Sequence, residues 1–412
     1  MVSPPGFFGY PACASRRAKA RHAIGSMHRD FVARFVPATL VLFACPVLRG
    51  ADWPQWRGPL RNGTVTEGTV AGKLRFPPAK AWQSETIPAG PTGGYASPSV
   101  AAGRVYVYAD HDKQDHVYCL DAKSGQTLWK FFEPVEGEED LASSTVCVSG
   151  GRAYVLGRGG RAYCLDAAKG TEIWRVDFGG GKHSSFLVVE GLAIVMVGGK
   201  GLVALDAATS APAWVQQGFK DWGENSPVPW RSAARLHVIQ NTGDKAHCLR
   251  ASDGQIVWEC DGGGYSTPAI ENNYMVIVST NGTMGYKLWP NRADKLWTVE
   301  DLRDRGASPI VYRGCAYVWA SGQLACIEMS GGQIHWRRLV GTADISSPVI
   351  AGGILFANAD FGLVTAVRAD PQRFQSLGKF NANASPFSSP AVANGRLIVR
   401  GLDGVYGYDL AR

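Results

Sequence analysis

The sequence lacks the short motifs that identify several common enzyme classes. Its 412 residues contain no Gly-x-Ser-x-Gly, no Walker-type phosphate loop and no His-Glu-x-x-His. Acyl transfer, nucleotide hydrolysis and metalloprotease chemistry therefore have no support in the sequence. The nine cysteines include no Cys-x-x-Cys pair, which removes the support for a zinc site or for thioredoxin-like chemistry.

The chain also lacks an excess of basic residues outside its first 50 positions. The formal net charge is +7, but residues 1–50 hold seven basic residues against Asp30 alone and so account for all but one of these charges. A nearly neutral remainder gives no electrostatic footprint for nucleic acid or an anionic membrane. Helical patterns are almost absent, whereas glycine is abundant at 50 residues, which favours many short strands joined by tight turns.

Residues 27–51 have the pattern of a secretory signal peptide, with basic residues before the apolar stretch 35–48 and small residues after it. Residues 1–26 are then an unstructured extension or the product of a misassigned start. The apolar stretch is too short for a comfortable membrane span. We expect a periplasmic or secreted protein. The alternative is a lipid anchor at Cys45, which lies in a sequence that resembles a lipoprotein box.

One twelve-residue pattern recurs along the rest of the chain and organises it. The copies span residues 118–129, 163–174, 203–214, 247–258 and 325–336. In each copy a turn residue, Asp121 in the first, lies eight places before a tryptophan, Trp129 in the first. A fixed offset inside a unit that returns about every 40 to 45 residues predicts a repeat architecture.

The residues of one copy predict a strand, a turn and a second strand. The aspartate accepts backbone N–H bonds within the turn, and the glycine four places on supplies a positive φ. The tryptophan follows in the second strand and is large enough to pack one unit against the next. We therefore expect structural roles for the recurring residues, which are Trp82, Trp129, Trp174, Trp214, Trp258, Trp297, Trp336, Asp121, Asp166 and Asp206.

Counting the units predicts an all-β fold, an eight-bladed β-propeller of four-stranded blades. Eight units start between Tyr95 and Ser388, and the last stops before any tryptophan strand, whereas Trp82 lies in a strand with no unit of its own. That amino-terminal strand can close the ring and leave no open sheet edge. We assign residues 52–94 to a strap over a surface and the closing strand, and residues 95–412 to the propeller. Seven blades stay open as an alternative.

The recurring strand–Asp-x-x-Ser/Thr-Gly–Trp unit resembles the repeat of the pyrroloquinoline quinone (PQQ) β-propeller superfamily over roughly residues 52–410. The resemblance implies one of two branches: quinoprotein alcohol dehydrogenases, or non-catalytic propellers similar to BamB. The dehydrogenase branch implies adjacent cysteines, which this sequence lacks, and often a Cys-x-x-Cys-His haem motif, which it also lacks. It also implies a Ca²⁺ site built from Glu, Asn and Asp, for which Glu224-Asn225 is one place to look.

The resemblance therefore implies a non-catalytic scaffold without a cofactor that binds a protein partner or small ligand at a propeller face. We expect a monomer. A PQQ-dependent alcohol or sugar dehydrogenase using PQQ and Ca²⁺ is the alternative, and a carbohydrate-binding propeller is a third. The loops that lead into the blades converge on the channel mouth and offer polar and aromatic candidates for a ligand. These are Tyr95, Lys182, His183, Asn225, Tyr265, Arg305 and Asp344.

Two further clusters carry charge. Asp110, His111, Asp112 and His116, with Asp115 between them, could bind a divalent metal, but we favour a solvated hairpin turn as their explanation. Residues 133–140 form an acidic insertion, which we interpret as a solvated loop or a partner-binding segment.

Seven cysteines follow the leader, and four of them hold equivalent places in different repeats. We expect Cys119, Cys164, Cys248 and Cys326 to be small buried strand residues. Cys315 and Cys326 flank a short turn, which leaves a disulfide between them open.

Overall fold

The computed structural model describes residues 51–65, 74–88, 94–111, 113–135, 143–180, 184–220, 225–233, 235–341 and 345–411. Residues 1–50, which include the expected extension, nearly all of the signal peptide and Cys45, lie outside this range. No helix among the described residues is long and apolar enough to cross a membrane.

The described residues form eight antiparallel sheets of four strands each. Blades 1 to 4, each from its innermost to its outermost strand, contain β2 (Ser99–Ala101), β3 (Arg104–His111), β4 (Gln114–Asp121), β5 (Thr127–Pro134); β6 (Cys147–Ser149), β7 (Arg152–Leu156), β8 (Arg161–Asp166), β9 (Glu172–Asp177); β10 (Leu187–Val189), β11 (Leu192–Val197), β12 (Gly201–Asp206), β13 (Pro212–Gln216); β14 (Val228–Ser232), β15 (Arg235–Asn241), β16 (Lys245–Arg250) and β17 (Ile256–Asp261).

Blades 5 to 7 contain β18 (Ala269–Glu271), β19 (Tyr274–Ser279), β20 (Gly282–Trp289), β21 (Arg292–Val299); β22 (Ile310–Tyr312), β23 (Cys315–Ala320), β24 (Gln323–Glu328), β25 (Ile334–Leu339); β26 (Val349–Ala351), β27 (Ile354–Asp360), β28 (Gly362–Arg368) and β29 (Gln375–Ala384). Blade 8 contains β30 (Ala391–Ala393), β31 (Arg396–Arg400), β32 (Val405–Ala411) and, as its outermost strand, β1 (Leu74–Gln83).

The first strand of the chain completes the last blade, which confirms the predicted closure and the count of eight. β1 pairs antiparallel with β32, with Trp82 opposite Gly407 and Lys80 opposite Tyr408. Seven blades had stayed open because two blades depart from the repeat. Blade 5 has a longer hairpin between its outer strands, and β29 of blade 7 contains no tryptophan.

A closed ring of hydrogen bonds joins the starts of the eight innermost strands. In each blade one hydroxyl accepts a hydrogen bond from the backbone N–H of the equivalent residue in the preceding blade. The ring runs through Ser97, Thr145, Ser185, Ser226, Thr267, Ser308, Ser347, Ser389 and back to Ser97, with N···O distances between 2.9 and 3.4 Å. The recurring Ser-Pro and Thr-Pro sequences therefore satisfy buried backbone donors that would otherwise lack partners.

Tryptophans join the blades at the outside of the ring. Six indole N–H groups donate to a backbone oxygen in the turn of the next blade: Trp82 to Ala122 (3.1 Å), Trp129 to Ala167 (3.2 Å), Trp174 to Ala207 (3.2 Å), Trp214 to Ala251 (2.9 Å), Trp297 to Met329 (2.9 Å) and Trp336 to Asp370 (2.7 Å). The indole nitrogen of Trp258 is buried and has no hydrogen-bond partner.

The turn that receives each tryptophan explains the motif's aspartate and glycine. Asp121 Oδ1 accepts from the backbone nitrogens of Lys123 (3.0 Å) and Ser124 (2.8 Å), and Asp166 and Asp206 do the same in their turns. Gly125 has φ +75°, and a Cβ atom there would lie 2.5 Å from Trp82. The glycine is thus required both by its backbone conformation and by the indole that packs on it.

Candidate functional site: the central channel and its mouth

The antiparallel blades give the ring two distinct faces. The loops that lead into the innermost strands and the turns between second and third strands lie on one face, which we call the loop face. The turns after the first and third strands of each blade lie on the other face. Residues 52–65, which we call the plug, enter the channel from that side, so we call it the plug face. At its start, Asp52 Oδ2 accepts a hydrogen bond from the nitrogen of Ala102, in the turn after β2.

The plug pairs with innermost strands on both sides of the channel. Trp53 and Val100 exchange two backbone hydrogen bonds of 2.8 Å, and Pro54 accepts one of 2.7 Å from Val148. At the far end, Gly63 accepts one of 2.8 Å from Ile350. The plug therefore spans the channel from blades 1 and 2 to blade 7.

Two plug arginines satisfy backbone oxygens on the remaining side of the channel. Arg57 Nη1 lies 3.2 Å from the oxygen of Thr267 and 3.4 Å from that of Pro268, and its Nη2 donates to Pro309. These oxygens belong to the segments that lead into the innermost strands of blades 5 and 6. The Nε atom of Arg57 is buried and has no hydrogen-bond partner.

Arg61 makes the equivalent contacts with blades 3 and 4. Its Nη1 donates to Pro227 at 2.6 Å, its Nη2 donates to Phe186, and its Nε donates to Gln55 Oε1 at 3.0 Å. Both of its terminal nitrogens also approach the oxygen of Ser185, a member of the hydroxyl ring.

The two guanidinium groups carry positive charge into the channel. Burial is the main reason that the pKa of Arg57 is lowered to about 9 and that of Arg61 to about 10, and repulsion from Arg61 adds to the effect on Arg57. Both values lie above neutral pH, so both side chains are protonated there. Because their terminal nitrogens are held by backbone oxygens, these charges hold the blades together and leave few donors for a ligand.

The mouth on the loop face is aromatic on one side. The ring of Tyr95 stacks on Phe387 with centroids 4.5 Å apart, and Phe387 meets Phe361 edge-on at 6.2 Å. Tyr265 also lies at the mouth and is 40% exposed. Burial raises the pKa of Tyr95, which keeps its phenol neutral near pH 7.

The polar candidates at the mouth differ in accessibility. Asn225 is buried; its Nδ2 donates to Gly264 at 2.8 Å, and its Oδ1 has no hydrogen-bond partner among the residues that the structure describes. Arg305 is exposed in the loop after β21. Lys182, His183, Asp344 and Glu224 lie outside the described residues, so their predicted roles stay predictions.

The proposed metal ligands are divided between the two sides of the β3–β4 hairpin. Asp110 is paired with Asp115 across the hairpin, and Arg158 of blade 2 lies 3.6 Å from the first and 3.0 Å from the second. His116 faces the other side, near Tyr118 and Phe132, and burial lowers its pKa. His111 is exposed at the end of β3, and Asp112 lies outside the described range. The described residues contain no group of three or more His, Cys, Asp or Glu placed to hold a metal ion.

The start of the acidic insertion is engaged with blade 2. Glu133 Oε1 lies 2.7 Å from Arg175 and 3.3 Å from Arg161. Residues 136–142 are not among those the structure describes. The seven cysteines from Cys119 to Cys326 are free thiols, so Cys315 and Cys326 are not joined by a disulfide. Cys119, Cys164, Cys248 and Cys326 are fully buried in third strands.

The plug is the main feature that we did not predict from the sequence. The segment around Asp52–Pro59 was expected to lie over a surface, whereas it crosses the channel. The sequence held a usable signal, because Arg57 and Arg61 stand four residues apart in a stretch with no acidic residue between 53 and 65. Arginines without nearby acids, among tryptophans and prolines, indicate acceptors supplied by backbone oxygens.

Comparison with known proteins places this architecture among related propellers. The family model described as outer membrane protein assembly factor BamB matches residues 113–228. BamB from Yersinia pestis is 23% identical over 329 residues, which cover 63% of this chain and 82% of that protein.

Two solved structures share the fold. BamB from Moraxella catarrhalis superposes with a TM-score of 0.63 at 18% identity, covering 78% of this chain and 98% of that one. A quinohemoprotein alcohol dehydrogenase from Pseudomonas putida HK5 superposes with a TM-score of 0.62 at 16% identity, covering 88% and 80%.

Proposed function

We propose that the chain, which is similar to PQQ-like β-propellers, is a non-catalytic scaffold that binds a protein partner. The observation that carries the proposal is the likeness to BamB. The matching family model bears that name, and the Moraxella catarrhalis protein is covered over 98% of its length. These relatives are outer membrane protein assembly factors.

The use of the channel supports this proposal. A propeller that binds a cofactor or substrate in its channel needs donors and acceptors that face the ligand. In this chain the plug arginines and the hydroxyl ring direct their hydrogen bonds at the blades themselves. Hydrogen-bonding groups that hold the ring closed are not available to bind a ligand. We therefore expect a partner to be recognised at one of the two faces.

A PQQ-dependent dehydrogenase is the second candidate, and the mouth is the observation that favours it. The rings of Tyr95, Phe387 and Tyr265 could stack on a planar quinone, and the unpartnered Oδ1 of Asn225 is an oxygen of the kind that Ca²⁺ prefers. When bound, PQQ would supply the oxidising group, while these residues would position it and exclude water. Against this fit, every side-chain nitrogen of the two plug arginines except the Nε of Arg57 already donates to an oxygen of the protein.

We further propose a periplasmic or secreted location, from the leader pattern in residues 27–51 and from the likeness to BamB. The mass of the amino-terminal peptide of the natural protein tests this. A peptide that starts near Ala51 supports secretion, and one that starts at a lipid-modified Cys45 supports an anchor.

Two experiments test the scaffold proposal. In the first, the tagged full chain is reversibly cross-linked in living cells and purified with whatever protein it has bound. In the second, the purified chain is assayed for dye-linked oxidation of alcohols and sugars with added PQQ and Ca²⁺. We expect a partner protein in stoichiometric amount and no dye reduction above the protein-free control. Dye reduction that is lost in Asn225→Ala would overturn the scaffold and support the dehydrogenase.

A further inference from the structure

The turn between the outer strands of blade 5 departs from the repeat. In blade 1 this turn runs from Asp121 to Gln126 and is closed by a hydrogen bond of 2.8 Å between their backbones, and blades 2, 3, 4 and 6 are closed in the same way. In blade 5 the strands continue instead. Three further residue pairs, ending with Trp289 opposite Arg292, extend the ladder to a tight Pro-Asn turn. The blade therefore carries a longer hairpin on the plug face.

This departure has a structural cost in the neighbouring blade. Trp258 of blade 4 should donate its indole N–H to the turn of blade 5, as Trp214 does to Ala251 at 2.9 Å in the turn of blade 4. Its nitrogen instead has no partner although the side chain is buried. The ring packs in the same apolar cluster as Leu288 of the longer hairpin. Trp258 therefore keeps an apolar contact with blade 5 but not the hydrogen bond. A buried donor without an acceptor has lost its hydrogen bonds to water without gaining one in the protein, and this destabilises the fold.

The hairpin presents an exposed, pre-ordered aromatic side chain. Trp289 is 41% exposed at the end of β20. Its Nε1 donates to Asp294 Oδ2 at 2.7 Å, and the guanidinium of Arg292 lies over its ring at 5.2 Å. Arg292 is itself held by Asp294 Oδ1 at 2.9 Å. Trp and Arg are the residue types most enriched in binding hot spots, and a side chain held in place loses less entropy on binding.

The charge of the hairpin indicates the chemistry of the partner. Between Tyr286 and Lys295 it has three basic residues and one carboxylate. Asp294 is paired with Arg292, and Lys295 is paired with Asp261 of β17 at 2.7 Å. The ammonium of Lys287 lies over the ring of Tyr274 at 3.9 Å and has no carboxylate partner among the described residues. The exposed end of the hairpin is thus an indole beside positive charge.

We propose that the blade 5 hairpin, Tyr286–Lys295, binds a segment of a protein partner through Trp289, and that this segment combines apolar side chains with carboxylates. This inference rests on the proposed scaffold function and assigns it to one element of one face. Blade 5 lacks a hydrogen bond that stabilises most of the other blades and instead exposes an ordered tryptophan. Functional sites are where a protein is expected to lose stabilising features of its fold in this way.

The test uses the full chain and a random library of twelve-residue peptides displayed on phage. Enriched peptides are sequenced, synthesised and titrated by calorimetry against the wild type, Trp289→Ser and Arg292→Glu. Leu339→Ser is the matched control, because Leu339 is 79% exposed and lies at the end of β25, on the loop face. Thermal melting of each variant checks that it is folded.

We expect the enriched peptides to place apolar residues beside Asp or Glu. Their affinity should fall about tenfold or more in Trp289→Ser and in Arg292→Glu, and should stay unchanged in Leu339→Ser. Peptides that bind Trp289→Ser as tightly as the wild type, or the failure of any peptide to enrich, would overturn the hairpin assignment and leave the scaffold proposal standing. Dye-linked activity in the separate oxidation assay would contradict the scaffold proposal.

Discussion

The indole nitrogen of Trp214 donates a hydrogen bond of 2.9 Å to the backbone oxygen of Ala251. This contact joins blade 3 to blade 4, and its equivalent is absent from Trp258, whose nitrogen is buried without a partner. The two tryptophans are otherwise matched, with 9% and 7% exposure. Comparing them therefore separates the contribution of the hydrogen bond to stability from the contribution of the buried ring.

Replacing each of these two tryptophans by phenylalanine isolates that hydrogen bond. Both substitutions remove similar apolar area, but only Trp214→Phe leaves a backbone oxygen without its donor. We expect Trp214→Phe to lower the free energy of unfolding by about 1 kcal/mol more than Trp258→Phe. Denaturant unfolding of both variants measures the difference, and equal losses would show that the indole hydrogen bonds add little to ring closure.

A second matched pair tests why the turn glycines are required. Gly125 and Gly103 have nearly the same φ, +75° and +76°, but a Cβ atom on Gly125 would meet Trp82 at 2.5 Å whereas one on Gly103 meets nothing within 4 Å. Alanine at Gly103 should therefore cost only the backbone term, about 1–2 kcal/mol. We expect Gly125→Ala to cost about 1–3 kcal/mol more because of overpacking. Similar melting temperatures for the two variants would contradict the role given to the Trp82 contact.

The hydroxyl ring predicts opposite outcomes for two substitutions at one position. Ser226 Oγ accepts from the nitrogen of Ser185 at 3.0 Å. Ser226→Ala leaves that buried donor unsatisfied and should cost on the order of 1–3 kcal/mol. Ser226→Thr keeps the hydroxyl, and threonine already stands in the ring as Thr145 and Thr267. Calorimetric melting should show Ser226→Thr close to the wild type, and an equal loss in both variants would argue against the hydrogen bond as the cause.

The plug arginines should contribute more than any exposed arginine. Arg57→Met removes the donor shared by the oxygens of Thr267, Pro268 and Pro309, all of which stay buried. We expect a loss of about 3 kcal/mol or more in the free energy of unfolding. Arg338→Met, on the exposed part of β25, is the control and should change it by about 0.5 kcal/mol or less. A small effect of Arg57→Met would mean that the plug is not needed to hold blades 5 and 6.

The repeat could be predicted from the sequence because its determinants are local. Asp121, Gly125 and Trp129 stand at fixed offsets and act within one hairpin or on the next blade, so their spacing alone indicates the architecture. The closing role of the Trp82 strand followed from the unit that lacked its last strand. These inferences needed no knowledge of long-range contacts.

The plug could not be predicted in the same way because its partners are distant in the chain. Arg57 contacts Pro309, 252 residues away, and the acceptors are backbone oxygens that carry no side-chain signature. Their positions are set only when the ring has closed. For the same reason the sequence indicated that Tyr95 lies at the mouth but gave no sign of its stacking on Phe387 or of the edge-on contact with Phe361.

Titration of the purified mature chain with PQQ, with and without Ca²⁺, tests the central claim most directly. A scaffold whose channel chemistry is directed at its own blades should give no heat of binding at high PQQ concentration, whether or not Ca²⁺ is present. Tight stoichiometric binding that requires Ca²⁺ and is lost in Asn225→Ala would contradict the scaffold and identify the mouth of the channel as a cofactor site.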